Sequence, residues 1–330
     1  MFLSLIVPVY NRPLEIKELL HSLTLQTNND FEVIIVEDGS THMCNDIVED
    51  FKDKLSVFYY FKHNSGPGDT RNYGASRAMG DFFVFLDSDC LLPPHYIDVV
   101  YDYLYNNTID AYGGSDEAHY SFTNIQKAIN YAMTSFFTTG GIRGSKKAME
   151  KFHPRSFNMG ISKIAFITLQ GFADLRFGED IDFSIRLFDH GYSVVYIEDA
   201  FVYHKRRTDF FKFFKQVYNS GLARINLNIL HPGTMKVVHV LPSLFVLGTL
   251  LLILFSLFFG FVWLSPILLF CLIIFLDASF HYKHVSVGLL SIIASYTQLF
   301  GYGIGFIVAY WNRVILKRDN KNAFEKNFYN

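Results

Sequence analysis

Charge is scarce in this sequence. Only 18% of its 330 residues are Asp, Glu, Lys or Arg, where an ordinary globular domain carries roughly 25%. The shortfall is local: between Val237 and Trp311 the formally charged residues are Asp277 and Lys283, whereas residues 1–236 mix charged and apolar side chains as a water-soluble domain does. With 50% of residues hydrophobic, disorder and collagen-like structure are excluded. Cysteine is scarce too. Cys44, Cys90 and Cys271 lie far apart and form no C-x-x-C pair, so neither a zinc site nor a disulfide framework is indicated, and reduced, buried thiols on the cytoplasmic side are expected. A net charge of −2 supplies no broad basic surface, so no nucleic-acid partner is expected. Met1 to Tyr10 is apolar but lacks a basic leader, and Asn11-Arg12-Pro13 cuts it short, so it reads as a buried strand rather than a secretion signal.

Short apolar runs then alternate with helical spacing. Leu3–Tyr10, Phe31–Val36, Leu55–Phe61 and Phe82–Leu86 read as strands, and Leu14–Leu25, Ile47–Phe51 and Thr70–Met79 as helices, the last closed by Gly80. That alternation predicts an α/β domain with a mainly parallel sheet over residues 1–205. Ligands in such sheets sit at the carboxyl ends of the strands. The polar clusters Asn11-Arg12, Glu37-Asp38-Gly39-Ser40 and Asp87-Ser88-Asp89 fall at three such ends.

Residues 206–236 form a linker with an amphipathic helix over 208–224. Phe210, Phe213, Phe214 and Val217 share one face, and Lys212, Lys215 and Gln216 lie between them. A core helix has the same pattern, but the apolar region that follows favours a membrane-surface helix. Residues 237–311 divide into two membrane helices, 237–261 and 263–280, and a third segment, 285–311, broken by Gly301-Tyr302-Gly303-Ile304-Gly305. The third segment reads either as a span or as a helix lying along the interface. The tail 312–330 carries Arg313, Lys317, Arg318, Lys321 and Lys326 against Asp319 and Glu325. By the positive-inside tendency that tail and the Lys205, Arg206, Arg207, Lys212, Lys215 side both belong in the cytoplasm, whereas three crossings put them on opposite faces.

Asp87 and Asp89, at i and i+2 beyond a buried run, can point to one side, and paired carboxylates suit Mg²⁺ or Mn²⁺ bridging a diphosphate. A polar strand-end turn is the plainer reading of an isolated Asp-x-Asp. Glu37-Asp38-Gly39-Ser40 is a second acidic turn, able to accept from a nucleobase N–H or simply to cap the next helix. Arg71 opens a helix after Gly66-Pro67-Gly68 and offers a fork donor to a base carbonyl or phosphate. Glu179 and Asp180 begin a helix whose dipole tolerates negative charge, so capping alone explains them.

In order and spacing these motifs resemble the family 2 glycosyltransferases, inverting enzymes with a GT-A nucleotide-sugar fold. Val7-Pro8-Val9-Tyr10-Asn11, Val36-Glu37-Asp38-Gly39-Ser40, Gly66 through Arg71-Asn72 to Gly80-Asp81, Asp87-Ser88-Asp89, and Gly171-Phe172 through Phe177-Gly178-Glu179-Asp180-Ile181-Asp182 to Gly191-Tyr192 carry the likeness over roughly residues 3–205. The resemblance implies a nucleotide-sugar site built from Pro8, Tyr10, Asn11, Glu37, Asp38, Gly39, Arg71, Asp87 and Ser88, with Asp38 at the base. It implies Mg²⁺ or Mn²⁺ at Asp89 and Asp87. Asp180 would be the catalytic base, with Glu179 beside it in the acceptor site. His204, after the strand-like Val194–Val202 stretch, takes by this likeness a place at the metal or diphosphate; a structural role is the alternative.

The Gln-x-x-Arg-Trp motif of processive synthases is absent, since Gln216-Val217-Tyr218-Asn219-Ser220 does not supply it and Trp263 and Trp311 are the only tryptophans. The expectation is therefore transfer of one sugar from a nucleotide-diphosphate sugar, UDP-linked by preference and GDP-linked as the alternative, to a lipid-linked saccharide. The enzyme would lie at the cytoplasmic face of a plasma or inner membrane. A polyprenyl-phosphate acceptor and a non-catalytic membrane scaffold are the rival expectations.

Overall fold

The structure, a computed structural model, describes residues 1–117, 119, 122–140, 152–175, 177–205 and 207–318. Arg206 and the tail charges from Asp319 to Lys326 lie outside those residues. In chain order the elements are β1 (Leu3–Val9), α1 (Pro13–Thr24), β2 (Phe31–Asp38), α2 (Asn45–Glu49), β3 (Val57–Lys62), α3 (Pro67–Ala75), β4 (Phe82–Leu86), β5 (Cys90–Leu91), α4 (Tyr96–Asn106), β6 (Ala111–Gly113) and β7 (Asp116–Glu117). Two helices, α5 (Asn124–Thr134) and α6 (Phe136–Thr139), precede β8 (Asn158–Ser162), α7 (Lys163–Thr168), α8 (Glu179–Asp189), β9 (Val194–Tyr196) and β10 (Val202–His204). The rest is helical: α9 (Phe210–Leu230), α10 (Val237–Phe259), α11 (Ser265–Tyr282) and α12 (Val285–Tyr310). The chain divides into two units, Met1–His119 with Phe152–Lys205, and Tyr120–Lys151 with Arg206–Asn330.

In the first unit a seven-stranded sheet runs in the order β3-β2-β1-β4-β8-β6-β9. β3, β2, β1 and β4 are mutually parallel, and β8 is antiparallel to both its neighbours. The inner strands are apolar on both faces because both are covered. Leu5, Val7, Val33, Ile35, Val84 and Leu86 belong to one core, and Ile6, Ile34, Val36, Phe83 and Phe85 to the other. The strand order reverses between β1 and β4, the switch point at which a crevice opens. Pro8 lies beyond the last β1–β4 pair, Ile6 with Phe85, so its missing N–H falls where that ladder has already ended. A smaller sheet, β5-β10-β7, sets His204 opposite Cys90, one residue past Asp89. The stretch from Val194 to Val202, expected as one strand, contributes to two sheets as β9 and β10.

In the second unit α5 packs against α9 and α12 through Ala128, Ile129, Ala132 and Met133 against Phe213, Val217 and Ala294. The apolar stripe of α9 is therefore largely a packing face, and Phe211 is left exposed. The glycines expected to break the third apolar segment do not break it; α12 is continuous. They instead admit neighbouring backbones, because a Cβ on Gly305 would lie 2.2 Å from the Tyr218 carbonyl and one on Gly303 2.6 Å from that of Pro242. Three helical stretches, Val237–Phe259, Phe261–Tyr282 and Val285–Ile315, are long and apolar enough to cross a membrane. Polar contacts join α5 to α11 and α12: Asn124 Nδ2 donates to Ser286 Oγ at 3.0 Å, Asn130 Nδ2 to the Tyr282 hydroxyl at 3.0 Å, and the Tyr131 hydroxyl to Asp277 Oδ2 at 2.6 Å.

A Cβ on Gly160, in β8, would lie 1.9 Å from the buried Tyr112 ring, whereas one on Gly248 meets nothing. Gly160→Ala is expected to destabilise the protein by ~1–3 kcal/mol, the usual range for overpacking, and Gly248→Ala to leave it nearly unchanged. Thermal unfolding of the detergent-purified variants measures both.

Candidate active site

The site assembles where β1, β2 and β4 end. After β1, Asn11 adopts a left-handed backbone, φ 52°, and its Oδ1 accepts from the amides of Thr41 and His42 at 2.8 and 2.9 Å, while its own N–H donates to Ser40 Oγ at 2.8 Å. Asn11 thus ties the loop after β1 to the loop after β2. Gly39 sits at φ 72°, and a Cβ there would lie 2.7 Å from the Asn64 nitrogen.

Strand alternation sends Glu37 and Asp38 to opposite sides. Glu37 is fully buried; its Oε2 accepts from the Cys44 amide at 2.9 Å, the Cys44 thiol at 3.1 Å and the Tyr59 hydroxyl at 3.2 Å. Burial, with the Glu37 hydrogen bond, pushes the Cys44 thiol well up. Asp38 organises the turn into α3. Its Oδ1 accepts from Lys62 Nζ at 3.0 Å and the Ser65 amide at 2.9 Å, and its Oδ2 from the Gly66 amide at 3.0 Å. A carboxylate has about four acceptor positions, so one is left on Oδ2.

That turn starts α3, and one turn later Arg71 lies only 3% exposed. One Nη donates to Asp87 Oδ1 at 2.7 Å and the other to Glu179 Oε1 at 2.9 Å. Burial alone would lower the guanidinium's proton affinity, but the charges of Asp87 and Glu179 outweigh it and hold Arg71 charged. Asn72 adds a second tie, accepting from the Phe172 amide at 2.9 Å and donating to its carbonyl at 2.8 Å.

Beyond β4, Ser88 is buried, and the carboxylates of Asp87 and Asp89 meet at His204. Its Nε2 lies 3.9 Å from Asp87 Oδ2 and 3.2 Å from Asp89 Oδ1. Phe157 stacks on the imidazole at 4.9 Å, and Asp116 Oδ2 lies 3.9 Å from its Nδ1. Arg12 holds the other Asp89 oxygen. Asp89, Cys90 and His204 each offer a ligand atom within 4.8 Å of the others. Burial, with the charges of Asp89 and Asp87, pushes the Cys90 thiol far up. The carboxylates and imidazole suit a hard divalent cation, whose adjacent ligands at about 2.1 Å from the ion lie about 3 Å apart.

Glu179 and Asp180 occupy the first turn of α8, after Gly178 at φ 81°. Burial pushes Glu179 up to about 7, helped by the charge of Asp180 and opposed by Arg71. Asp180 is partly exposed, with Arg155 Nη1 3.5 Å from its Oδ2. Arg186 locks α8 to the preceding loop, donating to Asp182 at 2.9 Å and to the carbonyls of Leu169 and Gly171 at 2.6 and 2.8 Å.

The expected residues therefore gather unevenly. Asp87, Asp89, Arg71, Glu179 and His204 form one connected cluster; Asp38 reaches it through the turn that starts α3, and Asn11 and Gly39 shape the adjoining loops. Pro8 and Tyr10 lie along the end of β1, and Glu37 points into the core. Sequence reasoning placed Arg12 in a strand-end polar cluster without giving it a role, and passed over Lys62, Asp116 and Arg155. Arg12, beside Asn11, was within reach of it, whereas Arg155 has no local pattern to mark it.

A mixed, mainly parallel sheet with carboxylates and a histidine gathered at its strand ends is the GT-A fold of nucleotide-sugar transferases. Among solved structures, a mannosyltransferase from Pyrobaculum calidifontis, in complex with GDP-Man and Mn²⁺, superposes with a TM-score of 0.64 at 14% identity, covering 89% of this chain and 86% of that one. Residues 4–167 match the family model Glycosyl transferase family 2, and through this domain the chain belongs to that family. An uncharacterized glycosyltransferase of Haemophilus influenzae is 44% identical over 92 residues, 28% of this chain and 31% of that protein. The poly(ribitol-phosphate) beta-N-acetylglucosaminyltransferase TarS of Staphylococcus aureus is 38% identical over 121 residues, 35% of this chain and 19% of that one. The matches span less than a third of the length of these curated relatives.

Because Glu179 binds a proton more tightly folded than at its ordinary 4.5, the folded state holds more protons between pH 4.5 and about 7. Its contribution to stability is present below that window and is lost as pH rises through it, by up to ~3 kcal/mol. Glu179→Gln is expected to flatten this part of the stability–pH curve, read from melting temperatures across that range.

Proposed function

We propose that the protein is a membrane-bound inverting glycosyltransferase. It moves one sugar from a nucleotide-diphosphate sugar, UDP-linked by preference and GDP-linked as the alternative, to a lipid-linked saccharide at the cytoplasmic face. The observation that carries this reading is the Arg71 bridge, which holds the strand-end Asp87 and the helix-start Glu179 on one guanidinium. The bridge ties the strand end whose carboxylates suit a donor diphosphate to the helix start that carries the candidate acceptor-side carboxylates, which supports one site for both.

In this reading Asp38 receives the ring N–H of the base at its remaining acceptor position. Asp87, Asp89 and His204 hold Mn²⁺ or Mg²⁺, which when bound neutralises charge on the diphosphate. Asp180 accepts the acceptor's hydroxyl proton while that oxygen bonds to the anomeric carbon and the carbon–diphosphate bond breaks. One displacement inverts the anomeric centre, and no covalent sugar intermediate forms. Arg71 keeps Asp87 and Glu179 in register and Arg155 orients Asp180, so the base meets the acceptor in a fixed pose. UDP-GlcNAc in a solved structure of residues 1–349 of S. aureus TarS, which superposes with a TM-score of 0.50 at 19% identity, and GDP-Man with Mn²⁺ in the Pyrobaculum enzyme support a nucleotide-sugar donor and a divalent ion. The apolar helices support a membrane location, and anchoring confines the enzyme to the surface in which a lipid-linked acceptor diffuses.

Asp180→Asn is expected to lower transfer to a hydroxyl acceptor by at least ~10²-fold, within the usual weight of a general base, while leaving nucleotide-sugar binding intact. Purified enzyme, radiolabelled donor and lipid-linked saccharide test this. Retained transfer removes Asp180 as the base. Full activity on polyprenyl phosphate alone, whose oxygen is already ionised, replaces the acceptor, and absence of metal-dependent nucleotide-sugar binding by calorimetry replaces the enzyme with a scaffold.

A further inference from the structure

Helix α12 connects the two open ends of a helical hairpin. α10 and α11 are joined through the short turn at Phe261–Leu264. The first turns of α12 lie against the last turns of α11, since a Cβ on Gly288 would lie 1.9 Å from Ser279 Oγ and 2.8 Å from the Phe275 carbonyl. Its last third lies against the beginning of α10: Ser243 Oγ donates to the Gly303 carbonyl at 3.2 Å, and Phe306 and Ala309 pack with Met235 and Val240. A third crossing after a hairpin runs alongside α10 in the same direction, so its last turns meet the end of α10. Here they meet its start.

Helix α9 runs beside α12 in the same direction over nearly its whole length. Phe213 packs with Ala294; Cβ atoms on Gly301 and Gly305 would meet Val217 and the Tyr218 carbonyl; Leu222 and Ile225 pack with Phe306 and Ala309. If α12 crossed a bilayer, α9 would cross with it and carry Lys212, Lys215, Asn219, Arg224, Asn226 and Asn228 through the hydrocarbon, where lysine and arginine are strongly disfavoured. Burial divides the helices in the same way. In α12 44% of the apolar window is buried within the protein, against 22% and 11% in the other two spans. What α12 leaves exposed is a stripe, Val285, Leu289 and Ile293, whereas the hairpin is exposed around its far half, from Leu250 and Leu251 through Phe258, Phe261 and Val262 to Leu268 and Leu269.

We propose that only the α10–α11 hairpin enters the bilayer, and that α12 and α9 lie together along the lipid surface at its base. Both flanks of the hairpin are then on one side, with Lys212 and Lys215 of α9 and Arg313, Lys317 and Arg318 beyond α12 facing the same anionic leaflet. This accommodates the positive-inside tendency of both segments, which three crossings violate. The partner of the α12 stripe is the acyl-chain boundary of that leaflet.

The inference rests on the membrane location proposed above, and its test does not use activity. In a Cys271→Ser background, Lys212→Cys and Arg318→Cys are expected to be blocked from an impermeant maleimide in intact spheroplasts, and both labelled after permeabilisation. Labelling of one but not the other before permeabilisation overturns it. In proteoliposomes a nitroxide on Thr297→Cys, which continues the exposed stripe in mid-helix, is expected at headgroup depth; a position at the bilayer centre overturns the proposal. Release of the whole protein from membranes by an alkaline wash refutes the membrane location itself, an outcome distinct from either.

Discussion

The sheet-bearing unit depends on one buried cation. Arg71 is almost wholly out of water, and its two carboxylate partners come from elements far apart in the chain, Asp87 sixteen residues on and Glu179 a further 92. Stripping the hydration from such a group costs several kcal/mol, which the pair of carboxylates must offset. Neither carboxylate alone completes the arrangement: without Asp87 the strand end loses its tie to α3, and without Glu179 the α8 N-terminus does. The rest of the site follows. Asp38 fixes where α3 begins, Asn72 and Arg186 fix the loop before α8, and Phe157 and the small sheet fix His204 opposite Cys90, next to Asp89. The raised proton affinity of Glu179 is a by-product of the same burial.

Most of this could be read along the chain because the chemistry sits at strand ends, which apolar runs mark clearly. Asp87-Ser88-Asp89 directly follows a run of five apolar residues, and both carboxylates do turn to one side. Reading stopped where parity decides. Glu37 and Asp38 are equally acidic and adjacent, yet a period of two sends one into a thiol–phenol pocket in the core and the other to the turn before α3. Reading also stopped where a partner comes from an irregular loop, as Arg155 does for Asp180, because no periodicity marks such a residue.

The helical unit was legible in hydropathy and illegible in packing. Gly301, Gly303 and Gly305 look like a break when helix propensity is the guide. Among packed helices they are places where another backbone comes close, and the stretch stays helical. The segment between β7 and β8 was the least readable of all. Its apolar spacing suits any amphipathic helix, and nothing local says that its partners lie in α9, α11 and α12 rather than in the sheet it interrupts.

That remoteness has a kinetic side. The Tyr131–Asp277, Asn130–Tyr282 and Asn124–Ser286 contacts join positions 146, 152 and 162 residues apart. At a synthesis rate of about 5–20 residues per second, α5 leaves the ribosome roughly 7–30 seconds before the α11 and α12 residues that it contacts, with α9 emerging about midway. Until α9 emerges, Ile125, Ala128, Ile129, Ala132 and Met133 lack the helices they pack against. A nascent chain in this state carries an uncovered amphipathic helix, whose apolar face stays in water until the distant helices arrive.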